Sequence, residues 1–235
     1  MSSVAAMSNT EPSRLGAAIQ EGLNAAKKNL IPGSILCVCG VLLVLGYYQV
    51  AAIHGALSWI GGWQARLGPL LSVPSTAVFG GIVPLVFRRL FLKEGSTGRD
   101  YLFQILFWGN MGLQVFLLYE LQAKLFGQDA TWQSVLPKIF VDQFVYVPLA
   151  AVPCMVLGYL WKQCNYSLAE TRAALARRGY WERCIPLLIS NWGVWVPATA
   201  IIYSFPLALQ VPLQNLILSI WVMLVILLTR DQKAD

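Results

Sequence analysis

Charge is what this sequence has least of. Only 12% of its 235 residues are Asp, Glu, Lys or Arg, and 57% are hydrophobic. A soluble domain carries about 25% charged residues, so half the usual solvating surface is missing. That excludes a water-soluble globule, a disordered tail and a nucleic-acid-binding module. Histidine is nearly absent too: His54 stands alone, with no second His or Cys pair at metal-ligand spacing. Five cysteines (Cys37, Cys39, Cys154, Cys164, Cys184) include no C-x-x-C and are odd in number. Most of them lie in apolar runs, which reads as small hydrophobic fillers rather than a disulfide framework. No nucleophile has a matched base, no glycine-rich phosphate loop follows a strand, and no two carboxylates sit at a useful spacing. An enzyme is not expected, and no cofactor is implied.

What is present is long apolar stretches separated by short basic connectors. The net charge of +6 sits in those connectors and so does not point to a polyanionic partner. The chain reads as an integral membrane protein whose first partner is the lipid bilayer; a homo-oligomer or a membrane complex is left open. Residues 1–30 form a polar, Ala/Ser-rich arm or surface helix, and residues 31–235 form a single membrane domain. A bilayer core of about 30 Å needs roughly 20 helical residues. Spans are expected at 34–54, 67–87, 101–121 and 139–161, with Trp59 and Trp63 at interfacial depth after the first. From Cys184 to Thr229 there are 46 residues without a formal charge. A single helix of that length would measure about 69 Å. Pro197, Pro206 and Pro212 mark where it breaks, giving spans at 185–204 and 207–229. The expected class is therefore an all-α polytopic bundle of about six spans.

The charges test that count. With both termini inside, only Arg66, Lys124 and Lys138 of the 17 Lys and Arg fall outside, as the positive-inside rule favours; merging the last two spans would move only the C-terminal Arg230 and Lys233 outside, so one span or two stays open there. The inside connector 162–183 opens with Ser167-Leu168-Ala169-Glu170, a capping box, and continues as a short amphipathic helix against the headgroups.

Polar groups inside hydrocarbon are costly and therefore suggestive. Asp142 lies near the start of the fourth span, beside Gln143. It could line a polar path, cap the helix N-terminus or pair with Lys138. Asn110 and Gln114 share a face of the third span by i,i+4 spacing, next to Gly109 and Gly112. They could glue helices together or line a hydrated pore. Together with Asn191 these residues make up the candidate polar core: Asn110, Gln114, Asp142, Gln143 and Asn191.

One set of spacings resembles a known family. Gly112 is followed by Tyr119; Lys138-x-x-x-Asp142-Gln143-x-x-x-x-Pro148 comes next. After the basic connector stand Asn191-Trp192-Gly193-Val194-Trp195-Val196-Pro197, then Phe205-Pro206-Leu207, then Trp221. In order and spacing, residues 105–228 resemble the 22-kDa peroxisomal membrane protein (Mpv-seventeen) family. The sequence departs from that pattern where Val196 splits Trp-Pro, where Gly80-Gly81 replaces Gly-Asp, and where Gln210 replaces an Arg. The resemblance implies a core of four helices, here with an extra N-terminal helix and a broken C-terminal pair. It also implies a role in small-solute permeability, as a pore or modulator, with a non-conducting scaffold or assembly protein as the alternative. The location it implies is a mitochondrial inner or peroxisomal membrane in a eukaryote; a bacterial source would place the chain in the plasma membrane.

Overall fold

The computed structural model describes residues 13–231; residues 1–12 and Lys233 of the sequence reading lie outside the described residues. Nine helices follow one another among the described residues: α1 Arg14–Lys28, α2 Leu30–Gln49, α3 Ala51–Leu67, α4 Pro69–Phe91, α5 Gly98–Phe126, α6 Trp132–Gln163, α7 Leu168–Arg177, α8 Tyr180–Tyr203 and α9 Leu207–Asp231. Six of them (α2, α4, α5, α6, α8 and the apolar part of α9) are long and apolar enough to cross a bilayer. The protein is an all-α polytopic membrane bundle.

Several expected boundaries move by a few residues, and two of the shifts change what a residue can do. The first span ends at Gln49 rather than at residue 54, because Val50 leaves the helix with φ −116° and ψ 109°. The apolar run continues past that break without polar punctuation, which is why composition alone does not reveal it. The chain then re-enters a helix, α3, in place of a connector. Its Gly61 packs against Ala208 and Leu209 at the start of α9, and Gln64 Nε2 donates to Ser72 Oγ of α4 at 2.7 Å. Trp59 on α3 is 68% exposed. The fourth span begins at Trp132, not 139, so Asp142 lies ten residues inside α6 and cannot cap its N-terminus. Lys138, placed outside by the charge count, likewise lies within α6 and is buried.

The polar arm contains α1, which docks on α8. A Cβ added to Gly22 would lie 2.9 Å from Pro186 Cα, so only glycine allows this approach. Arg178 and Glu21 pair at 2.6 Å, and Asn29 Nδ2 donates to Ser190 Oγ at 2.8 Å. Of the capping box expected at Ser167, the hydroxyl half forms, accepting from Glu170 N at 3.3 Å. A complete box stands instead at the head of α5: Thr97 Oγ1 accepts from Asp100 N, and Asp100 Oδ2 accepts from Thr97 N at 2.8 Å.

Prolines shape α4 and α6 without ending them. Residues Ala77–Ile82 and Asp142–Ala151 are π-helical, where each N–H reaches the carbonyl five residues back. Pro84 and Pro148 have no N–H to offer, so the carbonyls of Phe79 and Gln143 lose their helical donors. Both are recovered from a neighbouring helix. Ser219 Oγ of α9 donates to Phe79 O at 2.9 Å, and Trp192 Nε1 of α8 donates to Gln143 O at 2.8 Å. In α8 the carbonyl of Glu182, four residues before Pro186, accepts from Arg178 Nη2 at 3.0 Å. In lipid, where water is absent, such replacement is what makes a proline-bearing span tolerable.

Candidate functional site

The polar residues meet where α5, α6, α8 and α9 converge. Asp142 is 5% exposed. Its Oδ2 accepts from the Tyr203 hydroxyl at 2.6 Å and its Oδ1 from Gln143 Nε2 at 3.0 Å. Gln143 Oε1 in turn accepts from Asn191 Nδ2 at 3.3 Å. Among the described residues no carboxylate lies within 4.0 Å of Lys138, so the Asp142–Lys138 pair does not form. Lys138 Nζ sits instead over the Tyr203 ring, 5.9 Å from its centroid, and Tyr119 meets the same ring edge-on at 5.3 Å. Pro148 explains why Gln143 and Trp192 come together: the carbonyl it frees belongs to Gln143.

Four of the five candidate core residues are thus brought inward, though not all into one network. Gln114 Oε1 accepts from the Tyr146 hydroxyl at 3.4 Å, and its Nε2 faces Cys154 Sγ at 3.8 Å. Asn110 is excluded: it is exposed on the outer face of α5. The reason is that α5 is drawn toward α4 by glycine, not by amides. A Cβ on Gly112 would stand 2.7 Å from Thr76 Cβ and 2.8 Å from Ser72 O. That approach turns Asn110 away from the bundle while leaving Gln114 at its edge. The remaining motif residues are structural neighbours: Trp195 meets Trp221 at 6.2 Å between ring centroids, Pro197 lies within α8, and Pro206 closes the turn into α9.

Three voids line up through this region. At the basic end, a vestibule of about 550 Å³ is bordered by Arg88, Glu94, Asp100, Gln104, Tyr159 and Lys162. Its charges neutralise one another, Arg88 with Glu94 at 2.7 Å and Lys162 with Asp100 at 2.8 Å. In the middle, a cavity of about 110 Å³ is bordered by Asp142, Gln143, Asn191, Thr199 and Gln214 among apolar side chains. At the opposite end, a cleft of about 340 Å³ lies among Gln64, Glu120, Gln128 and Pro206. Trp108 and Trp221 are walls of both vestibule and cavity; Tyr119 is a wall of both cavity and cleft.

Two helices run past all three. On α5 the lining residues are Asp100, Gln104, Trp108, Met111, Val115 and Tyr119, with Phe116 and Glu120 beside them at the cleft, and on α9 they include Ala208, Val211, Gln214, Leu218 and Trp221. From Asp100 to Tyr119, and likewise from Ala208 to Trp221, steps of three and four residues keep these positions on one helical face. Asp100 to Glu120 covers about 30 Å at 1.5 Å per residue, the thickness of a bilayer hydrocarbon core. Two polar atoms at the cavity, Gln214 Oε1 and Trp221 Nε1, are shielded from solvent and have no hydrogen-bond partner among the described residues. Each such atom left alone costs about 1–3 kcal/mol.

Residue-by-residue reading of the sequence missed Tyr203, Trp108, Gln104 and Tyr159. Trp108 Nε1 donates to the Tyr159 hydroxyl at 3.2 Å, which donates to Gln104 Oε1 at 2.9 Å. The signal was the stripe of three- and four-residue steps on α5, whose mixture of aromatic and amide side chains hides it from a search for charge. Compared with known family models, curated proteins and solved structures, the chain finds no match.

Proposed function

We propose that this integral membrane protein provides a gated path for small polar solutes through its own bundle, acting as a pore or a modulator of permeability. One observation carries the reading: vestibule, cavity and cleft follow one another along α5 over the thickness of a hydrocarbon core, with Trp108 and Trp221 shared as walls by the first two and Tyr119 by the last two. A bundle with no task beyond packing would fill this interior at the density of other protein cores. The paired charges at the vestibule and the single hydrogen-bonded carboxylate at the cavity favour uncharged solutes over ions. The resemblance of residues 105–228 to the 22-kDa peroxisomal membrane protein family supports a mitochondrial inner or peroxisomal membrane as the location.

Reconstitution into liposomes tests this. Solute flux should exceed that of protein-free vesicles and rise when Trp108 and Trp221 are both replaced by Ala. Flux equal to the protein-free control, unmoved by that double substitution, would reject a path.

A non-conducting scaffold is the second reading. It is favoured by the inter-helical hydrogen bonds: Thr76 Oγ1 donates to Asn215 Oδ1 at 2.9 Å, and Asn215 Nδ2 donates to Ser75 Oγ at 3.1 Å. On that reading Asp142→Asn changes assembly and leaves flux at the control level.

A further inference from the structure

The middle cavity carries chemistry that helix packing does not use. Its two unpartnered atoms are complementary, an acceptor on Gln214 and a donor on Trp221. They stand seven residues apart on α9, about 10 Å along the axis, with Trp221 at the vestibule boundary and Gln214 further in. A solute passing both must offer an acceptor to the indole and a donor to the amide oxygen. Charge is a poor fit. Asp142, the one carboxylate on the wall among the described residues, already accepts from Tyr203 and Gln143, and it repels anions. Lys138 is not on the wall. Size is limiting as well: about 110 Å³ is less than the roughly 150 Å³ that accommodates benzene, yet ample for water.

From this we infer that the middle cavity is a binding site for a small uncharged amide or polyol of about three to five heavy atoms, and that Trp221 is the gate through which it enters from the vestibule. Trp221 suits a gate because it is only partly buried at the edge of the core cluster, its ring meets Trp195 edge-on, and its N–H is free of protein acceptors among the described residues. Trp108, by contrast, is tied to Tyr159.

The inference rests on the permeation reading, and its test separates the two. In a background with Cys37, Cys39, Cys154, Cys164 and Cys184 replaced by Ala, Thr199→Cys puts a thiol on the cavity wall. Its alkylation by acrylonitrile, an uncharged reagent of about four heavy atoms, should be slow and should accelerate about tenfold or more on adding Trp221→Ala, the change that a barrier lowered by 1.4 kcal/mol gives. Acetamide should protect the thiol about threefold at twice its dissociation constant. Gln214→Leu should remove that protection. Trp221→Phe, which keeps a ring but loses the indole N–H, should stay slow and bind acetamide more weakly, and it serves where the Ala variant is not recovered folded. An unchanged rate in Trp221→Ala overturns the gate. Absence of protection, or protection that survives Gln214→Leu, overturns the site. Protection without solute flux in liposomes keeps the site and rejects permeation.

Discussion

Asp142 shows how one buried carboxylate is made tolerable without a cation. A charge removed from water is stable only when its lone pairs are filled, and here a phenol and an amide fill them. Tyr203→Phe removes the shorter of these bonds and leaves an oxygen unsatisfied. The variant should lose about 1–3 kcal/mol, read as a lower unfolding temperature in detergent. Asn110 gives the opposite expectation. Its amide lies on the exposed face of α5, so Asn110→Leu should leave stability within about 0.5 kcal/mol of the parent. The same substitution at Gln114, which holds the Tyr146 hydroxyl, should be clearly destabilising in that assay.

At the scale of helices, glycine and proline set the geometry. Gly112 lets α5 approach α4 until backbone and side chain meet. Gly112→Leu should separate the two helices and cost several kcal/mol through overpacking, more than the 1–3 kcal/mol typical of added core methylenes; loss of a monodisperse elution peak would report it. Pro148 offers a sharper check. Trp192→Phe strips the donor from Gln143 O and should cost about 1–3 kcal/mol. Pro148→Ala restores a backbone N–H that can reach the same carbonyl. The double variant should therefore lose less than Trp192→Phe alone, and a cycle of the four proteins in thermal unfolding measures the coupling. Strict additivity would mean that Pro148 and Trp192 are unrelated. Of these elements, the break near Pro206 could be read in sequence because a 46-residue uncharged run cannot cross once. The break at Val50 could not, since a β-branched residue between two apolar helices looks like either.

For the whole molecule, the placement of connectors yields a topology prediction. Cysteines introduced at Gly95 and at Gln128, at the vestibule and cleft ends respectively, should label from opposite faces of a sealed vesicle. Labelling of both from one face would contradict the alternation of six spans.

What the sequence decided alone is the solvent. With so few charges and apolar runs of membrane length, the chain has no other place to hide its surface, and helices are then the only open-ended way to satisfy backbone groups in lipid. Length and the sidedness of Lys and Arg point to about six spans, and the structure settles that residues 184–229 divide between two helices. The tertiary structure decided which polar residues meet. Asn110 and Gln114 share a helical face yet part company, and Asp142 finds Tyr203 across 61 positions rather than Lys138 across four. Helical periodicity ranks neighbours on one rod; the rotation of that rod is set by close approach at Gly112 and by carbonyls that prolines free, and those depend on the helix standing opposite.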